Sequence, residues 1–434
     1  MGIISIHNSR WENFCIAVLF SRHVWLSYHW TIVNSMEATK KVLISGASIA
    51  GLTLAYWLIE YGFEVTVVEK NQELRLGGQN IDVKGPAWEI IRRMKLDKKV
   101  VAATTTEMGI RFVTTHNKTV AEFPKDNPLS MTQEIEILRG DLVELMYQPI
   151  KDKVAFLFAN QITKINETSS MLEISFQCGK KAAYSLLLIA EGIGSHTRKL
   201  VFGKSVNFKY LGLYSAYLTI EKARSDTRWA RWCNTERGIV FLIRPDNHGK
   251  TRACIFFRSP ERGYEKLSTE QQKRVLIDKI KGVGWESERI AKEIETTDDL
   301  YFERVSQVKA KSWYKGRVAM TGDAAYCPTP ISGKGTDAAI SGAYILAGEL
   351  ATAESHGQAF SNYQALMRPY INNIQKRPPG VPSFVYPTSK IGVAIINSIF
   401  SIVASPPVKF ITRLFGKNKA KPKKEIDLKD YSKQ

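Results

Sequence analysis

Cysteine is scarce in this 434-residue sequence, with five residues at positions 15, 178, 233, 254 and 327. Their odd number and the absence of any Cys-x-x-Cys pair exclude a disulfide framework and a structural zinc site, and point to reduced thiols in the cytoplasm. Membrane-length apolar runs are missing too. The C-terminal run Ile391 to Ala404 falls short of the roughly 20 residues that cross a bilayer, and the stretch Phe14 to Val33 is broken by Arg22, His23 and His29. Acidic residues are outnumbered, 42 against 61 lysines and arginines, for a formal net charge of +19. No nucleic-acid-binding motif accompanies that charge, so nucleic acid is excluded as a partner; the excess is a surface field that suits an anionic ligand, plus a basic tail. Nor is there a nucleophile with its base, since Ser195 and His196 are sequence neighbours and do not form such a pair by themselves. No residue is assigned as a proton carrier and none as a metal ligand. At 44% hydrophobic and 24% charged residues, the chain has enough apolar material for a large two-lobed globular fold.

What is present is a pair of glycine-bearing turns far apart in the chain. Gly46-Ala47-Ser48-Ile49-Ala50-Gly51 follows the apolar strand pattern Val42 to Ser45 and opens a helical pattern from Leu52 to Tyr61. A second strand, Glu64 to Val68, ends in Glu69. In this order the helix turns its unsatisfied N–H groups and positive dipole end toward a pyrophosphate, while a carboxylate about 20 residues on reaches a ribose hydroxyl. Ser48 replaces the middle glycine, so a βαβ unit whose glycines serve packing alone is the competing reading. A phosphate-loop NTPase fits less well, because Leu52 stands where its lysine belongs.

The second turn, Gly322-Asp323-Ala324-Ala325, follows the strand pattern Arg317 to Thr321. The loop Pro328 to Thr336, with Pro330, Gly333, Gly335 and Thr336, then leads into a helical run from Asp337 to Leu350. A carboxylate at a strand end can accept from ribityl hydroxyls, and N–H groups at a helix start can face the N1 and C2 carbonyl edge of a flavin, which carries negative charge when reduced. The two turns together read as the halves of one FAD site. Between them, Ser185 to Ala190 forms a buried-strand pattern ending in Glu191-Gly192, with Ser195 and Arg198 close behind.

With these motifs in order over most of residues 40–375, the chain resembles the FAD-dependent aromatic hydroxylase family, the flavoprotein monooxygenases related to para-hydroxybenzoate hydroxylase. The family's Ala-Asp-Gly appears as Ala190-Glu191-Gly192, one methylene longer in the acid. Within that family, Leu74 to Val83 and Glu136 to Leu142 are similar to the tetracycline-inactivating monooxygenases. The resemblance implies that Arg139 contacts FAD, that Arg75 meets the reductant or the flavin, and that Asp82 lies near the isoalloxazine. Without it, both arginines would read as surface residues paired with a nearby carboxylate. It further implies NADPH or NADH as co-substrate, O2 adding at flavin C4a, and a hydroperoxide inserting one oxygen atom into an electron-rich small molecule that is aromatic or polyketide-like, tetracycline-like included.

The expected architecture is α/β: a Rossmann-like FAD-binding domain, 36–205 and 300–375, interleaved with a mixed-sheet substrate domain, 206–299, and followed by a C-terminal helical segment, 376–416. Period-two strands Leu213 to Ile220, Gly238 to Ile243 and Arg252 to Phe257 supply a sheet that roofs the flavin, most of its aromatic residues being plain core. Residues 1–35 are an extension outside the fold, either a targeting segment or sequence upstream of a start at Met36. Residues 417–434 are a solvated basic tail, and the apolar helix before it packs over the substrate domain or makes weak contact with an anionic membrane. The protein is expected to act as a monomer. Two rivals remain: a non-catalytic FAD-binding protein, and a short-chain nicotinamide dehydrogenase using Tyr386 and Lys390, which have the Tyr-x-x-x-Lys spacing but lie far too near the C-terminus.

Overall fold

The buried, β-branched runs read from the sequence pair side by side. A computed structural model describes residues 41–127, 130, 135–329, 332–376, 380–381, 383–405, 408 and 426–431. The expectations for residues 1–35 and Met36, for Pro330 and for the lysines at 417–424 lie outside the described residues. A six-stranded sheet runs in the order Tyr314–Lys315, Val318–Met320, Leu186–Ile189, Lys41–Ser45, Glu64–Val68, Ala155–Leu157. All but the antiparallel first pair are parallel, so each glycine-bearing turn leaves the same end of the sheet. Leu186–Ile189 is buried at every position, as expected of a parallel strand covered on both faces. The helices Ile49–Glu60 and Gly335–Thr352, which follow the two turns, pack against each other.

A second sheet of seven strands lies over this domain, in the order Tyr301–Ala310, Val206–Ile220, Thr251–Arg258, Ile239–Pro245, Trp229–Asn234, Gly109–Val113, Thr119–Pro124. It is wider than the 206–299 span read from the sequence, because strands from either side of that span join its edges by register. Period-two alternation gives it two distinct faces. The outer one, with Tyr214, Phe241 and Phe257, packs with the helices Thr269–Ile280 and Ser287–Thr296. The other carries Tyr217, Trp232, Leu242, Cys254 and Phe256. The sequence-level expectation of aromatic core holds for most of these rings, which contact one another rather than stand alone.

The helix Lys390–Val403 is fastened to the roof sheet by Phe400, whose ring stacks on Phe112 at 3.9 Å. Among the described residues no helix is long and apolar enough to cross a membrane. The chain end departs from the solvated tail expected of residues 417–434. Ile426 and Tyr431 are buried, and Tyr431 Oη and Lys429 Nζ donate to Glu349 Oε1 at 2.8 and 2.7 Å. The reason is a buried carboxylate on the helix Gly335–Thr352 that needs donors, which the tail supplies.

Candidate functional site

The first turn is built by close approach. A Cβ on Gly51 would lie 1.9 Å from the Gly46 carbonyl oxygen, so no larger residue allows the helix to start this near the strand. The helix Ile49–Glu60 has no side-chain cap and no acidic residue in its first turn, although its N-terminal residues are buried. Its unsatisfied N–H groups therefore suit a phosphate. Glu69 lies where the spacing predicts, at the end of the neighbouring strand; its Oε2 accepts from Ala47 N at 2.9 Å and its Oε1 from Asn71 Nδ2 at 2.7 Å.

Arg139 comes to this turn from far along the chain. It opens the helix Arg139–Tyr147, and its Nη2 donates to Ser48 Oγ at 2.7 Å while Nη1 donates to the Arg75 and Gly77 carbonyls at 2.8 and 3.3 Å. Burial, then the nearby positive charge of Arg75, lowers its pKa to about 10; Tyr301, Glu69 and Asp323 act the other way. A half-buried cation held at an uncapped helix start is a site for an anion. Arg75 itself is exposed, its guanidinium 4.4 Å from the centre of the Tyr301 ring on the roof strand. The family resemblance implied a cofactor role for both arginines, but the bond from Arg139 to the Arg75 carbonyl was not legible in the sequence.

The second turn meets the first. Gly322 has φ +60°, and a Cβ there would come within 2.9 Å of the Ala50 Cβ, so the two glycine motifs interlock. Asp323 opens the short helix Asp323–Tyr326 and is half-buried. Burial raises its pKa, against the hydrogen bond from the Cys327 thiol and the charge of Arg139. Gly333, Gly335 and Thr336 lead into the helix Gly335–Thr352, and a Cβ on Gly333 or Gly335 would meet nothing within 4 Å. Asp337 in its first turn accepts from Lys84 N at 3.3 Å, which draws the segment carrying Asp82 to this helix start. Asp82 is bound by Lys84 Nζ at 3.4 Å, and burial raises its pKa.

The middle motif proves internal. Glu191 accepts from the Ser45 hydroxyl, from the Thr197 hydroxyl, from Thr197 N at 2.9 Å and from Ser195 Oγ at 2.7 Å. Burial pushes its pKa up, but these four donors hold it below the ordinary value. The longer acid thus ties the strand Lys41–Ser45 to the start of the helix His196–Phe202. Arg198 is likewise spent on carbonyls, of Ala324 at 3.1 Å and Ile193 at 2.6 Å, and clamps the middle motif to the third.

Two groups escaped the sequence reading. At the domain junction Arg244 binds Glu107 through two bonds, at 2.9 and 3.0 Å, and also Glu136. Burial, with Glu107 and Asp82 adding to it, raises the Glu136 pKa to about 8. On the roof, Glu303 accepts from Tyr301 Oη at 2.9 Å and Ser215 Oγ at 3.2 Å. Burial, with a contribution from Asp323, raises its pKa to about 7. The only available signal was an acid in an otherwise period-two strand, which does not say which face it meets. The dehydrogenase reading fails here: Tyr386 packs on Trp232 and Phe256, whereas Lys390 reaches toward Glu236 at 3.9 Å.

These residues fit FAD: uncapped helix N–H groups and Arg139 for the pyrophosphate, Glu69 for a ribose, Asp323 with acceptor capacity beyond one thiol, and an open helix start for a flat ring. Among the described residues there is no cluster able to hold a metal ion, and the four described cysteines are free thiols. A family model described as FAD binding domain matches residues 39–370. A flavin-dependent monooxygenase from an unknown prokaryotic organism is 36% identical over 338 residues, 77% of this chain and 88% of that protein. Among solved structures, the tetracycline destructase Tet(51) superposes with a TM-score of 0.74 at 28% identity, over 91% of this chain and 99% of its own. The tetracycline destructase Tet(55) gives 0.73 at 34% identity, over 85% and 97%.

Proposed function

The chain belongs to the FAD-binding flavin-dependent monooxygenases related to the tetracycline destructases, and from that premise we propose that it uses NADPH or NADH and O2 to insert one oxygen atom into an aromatic or polyketide-like small molecule. The observation that carries this reading is the meeting of the two glycine turns, Gly322 against Ala50, with Arg139 hydrogen-bonded to Ser48 at the first of them. When bound there, FAD supplies the redox chemistry: it takes electrons from the nicotinamide and activates oxygen.

The chain's own residues bind and orient. Gly46, Ser48, Ala50 and Gly51 form the phosphate turn, with Arg139 opposing the phosphate charge and Glu69 taking the ribose. Gly322 and Asp323 hold the ribityl chain. Gly333, Gly335 and Thr336 present the helix start to the ring edge where negative charge develops, and Asp82 flanks it. Arg75, exposed at the mouth, meets the reductant. Tyr217, Trp232, Leu242 and Phe256 roof the substrate and keep water out, which oxygen transfer requires. A flat, partly apolar substrate, tetracycline-like in outline, suits that surface.

The test is aerobic NADPH oxidation by the FAD-loaded protein with tetracyclines and simple phenols, followed by mass spectrometry. A product heavier by one oxygen supports the proposal; no NADPH use with any of them favours a non-catalytic flavoprotein.

One observation favours a second reading, peripheral membrane contact by a cytoplasmic monomer. Ile391, Ile395, Ile399 and Ile402 on the helix Lys390–Val403 are 73, 52, 37 and 61% exposed. Their spacing puts them along one side of the helix, a surface suited to an anionic lipid interface. Flotation of the full chain with anionic but not neutral vesicles is the expected result.

A further inference from the structure

The cleft has a second wall. The strand Tyr301–Ala310 is the edge of the roof sheet, and its register with Val206–Ile220 sets Tyr301 opposite Tyr217 and Glu303 opposite Ser215. Period-two alternation puts all four side chains on one face. Tyr301 lies under the Arg75 guanidinium on that face and donates to Glu303. The short helix Asp323–Tyr326 packs against this strand, and the charge of Asp323 adds to the burial that favours the protonated Glu303. Glu303 therefore lies on the roof strand that packs against the helix opened by Asp323, two residues from the ring that carries the Arg75 guanidinium. Its carboxyl is held by two hydroxyls, and among the described residues no cation lies within ion-pair distance of it. Beside it, the Tyr217 hydroxyl is buried and has no hydrogen-bond partner. A buried hydroxyl without a partner and, on the neighbouring strand, a carboxyl with spare acceptor sites suit a ligand with hydroxyl groups.

We propose that Glu303, held in place by Tyr301 and Ser215, is a second cofactor-binding carboxyl, which grips the ribityl hydroxyls of FAD from the roof while Asp323 grips them from the sheet. This rests on the assignment of the cleft to FAD. It makes cofactor retention depend on the roof sheet as well as on the glycine motifs, so that the two domains close on the chain between the pyrophosphate and the ring.

The comparison that tests it is FAD against ADP, which shares the adenine and pyrophosphate but lacks the ribityl chain. Each is titrated into the full-length apoprotein by calorimetry, for the native chain and for Glu303→Ala, Glu303→Gln, Asp323→Ala and Arg139→Ala. Glu303→Ala is expected to weaken FAD by about tenfold, the scale of one hydrogen bond to a carboxyl, and to leave ADP unchanged. Glu303→Gln, whose amide still exchanges hydrogen bonds with hydroxyls, is expected to fall between. Arg139→Ala is expected to weaken both ligands. Equal losses for FAD and ADP in Glu303→Ala would reduce Glu303 to a structural role, and unchanged FAD affinity would overturn the proposal outright. If Asp323→Ala weakens FAD and Glu303→Ala does not, only this inference fails; if neither does, the FAD assignment of the cleft fails with it. Should Glu303→Ala not fold, Tyr301→Phe, which frees Glu303 but keeps the ring under Arg75, carries the same comparison.

Discussion

Arg139 and Ser48, separated by 91 positions in sequence, share a hydrogen bond of 2.7 Å at the mouth of the first glycine turn. The serine hydroxyl would otherwise be free to cap the helix Ile49–Glu60, and the arginine draws it away. The helix start is thereby left with uncapped N–H groups and a cation beside them, which is the arrangement an anionic pyrophosphate requires.

Arg139→Ala should accordingly release FAD. Loss of a charge-assisted contact to phosphate is expected to weaken cofactor binding by at least about tenfold. The flavin absorbance that stays with the protein through gel filtration measures it, and native-like flavin content would count against the site.

Gly51→Ala is a steric test. Its Cβ would have to displace the Gly46 carbonyl from 1.9 Å, and since that atom is backbone the turn must open. A loss of stability at the upper end of the usual overpacking range, about 1–3 kcal/mol or more, is expected in chemical denaturation, together with loss of flavin. A variant as stable as the native chain would mean that the turn is looser than described.

Glu136 gives a pH dependence. In the fold it keeps its proton up to about 8, whereas in the unfolded chain it ionises near the ordinary value of 4.5. Between those values the unfolded state binds fewer protons, so stability falls as pH rises through the window. Glu136→Gln should flatten that fall in denaturation curves recorded from pH 5 to 8; an unchanged slope would assign the proton elsewhere in the Glu107, Arg244 and Glu136 cluster.

The chain end should matter to stability. Deleting residues 425–434 removes Lys429 and Tyr431 from Glu349, leaving a buried carboxylate with Asn362, at 2.8 Å, as its remaining donor among the described residues. An expected loss of about 1–3 kcal/mol follows from the unmade hydrogen bonds. Although burial alone would raise it, those partners hold the Glu349 pKa below its ordinary value. This share of stability is therefore present above the ordinary carboxylate range and lost as pH falls through the lowered value, and the deletion should shrink the acid limb of the stability curve. Equal melting temperatures with and without the segment would show the contact to be worth nothing.

What the sequence determined by itself is whatever depends on neighbours along the chain. The strand–turn–helix order at Gly46 to Gly51, the exit of a buried strand into Gly322 and Asp323, and the alternation of the roof strands are local patterns, so they were legible in the order of residues. They carry the cofactor class and the fold. The tertiary structure decided what depends on packing between distant segments. The Glu191 carboxylate turned inward to four donors, Arg139 met Ser48, and the tail folded back to satisfy Glu349. Glu303 came to the Tyr217 face of the roof because an edge strand paired in one register, and one residue of slip would have turned it to the other side of the sheet. Burial and electrostatic neighbours are properties of that three-dimensional arrangement, and they set which acids keep their protons.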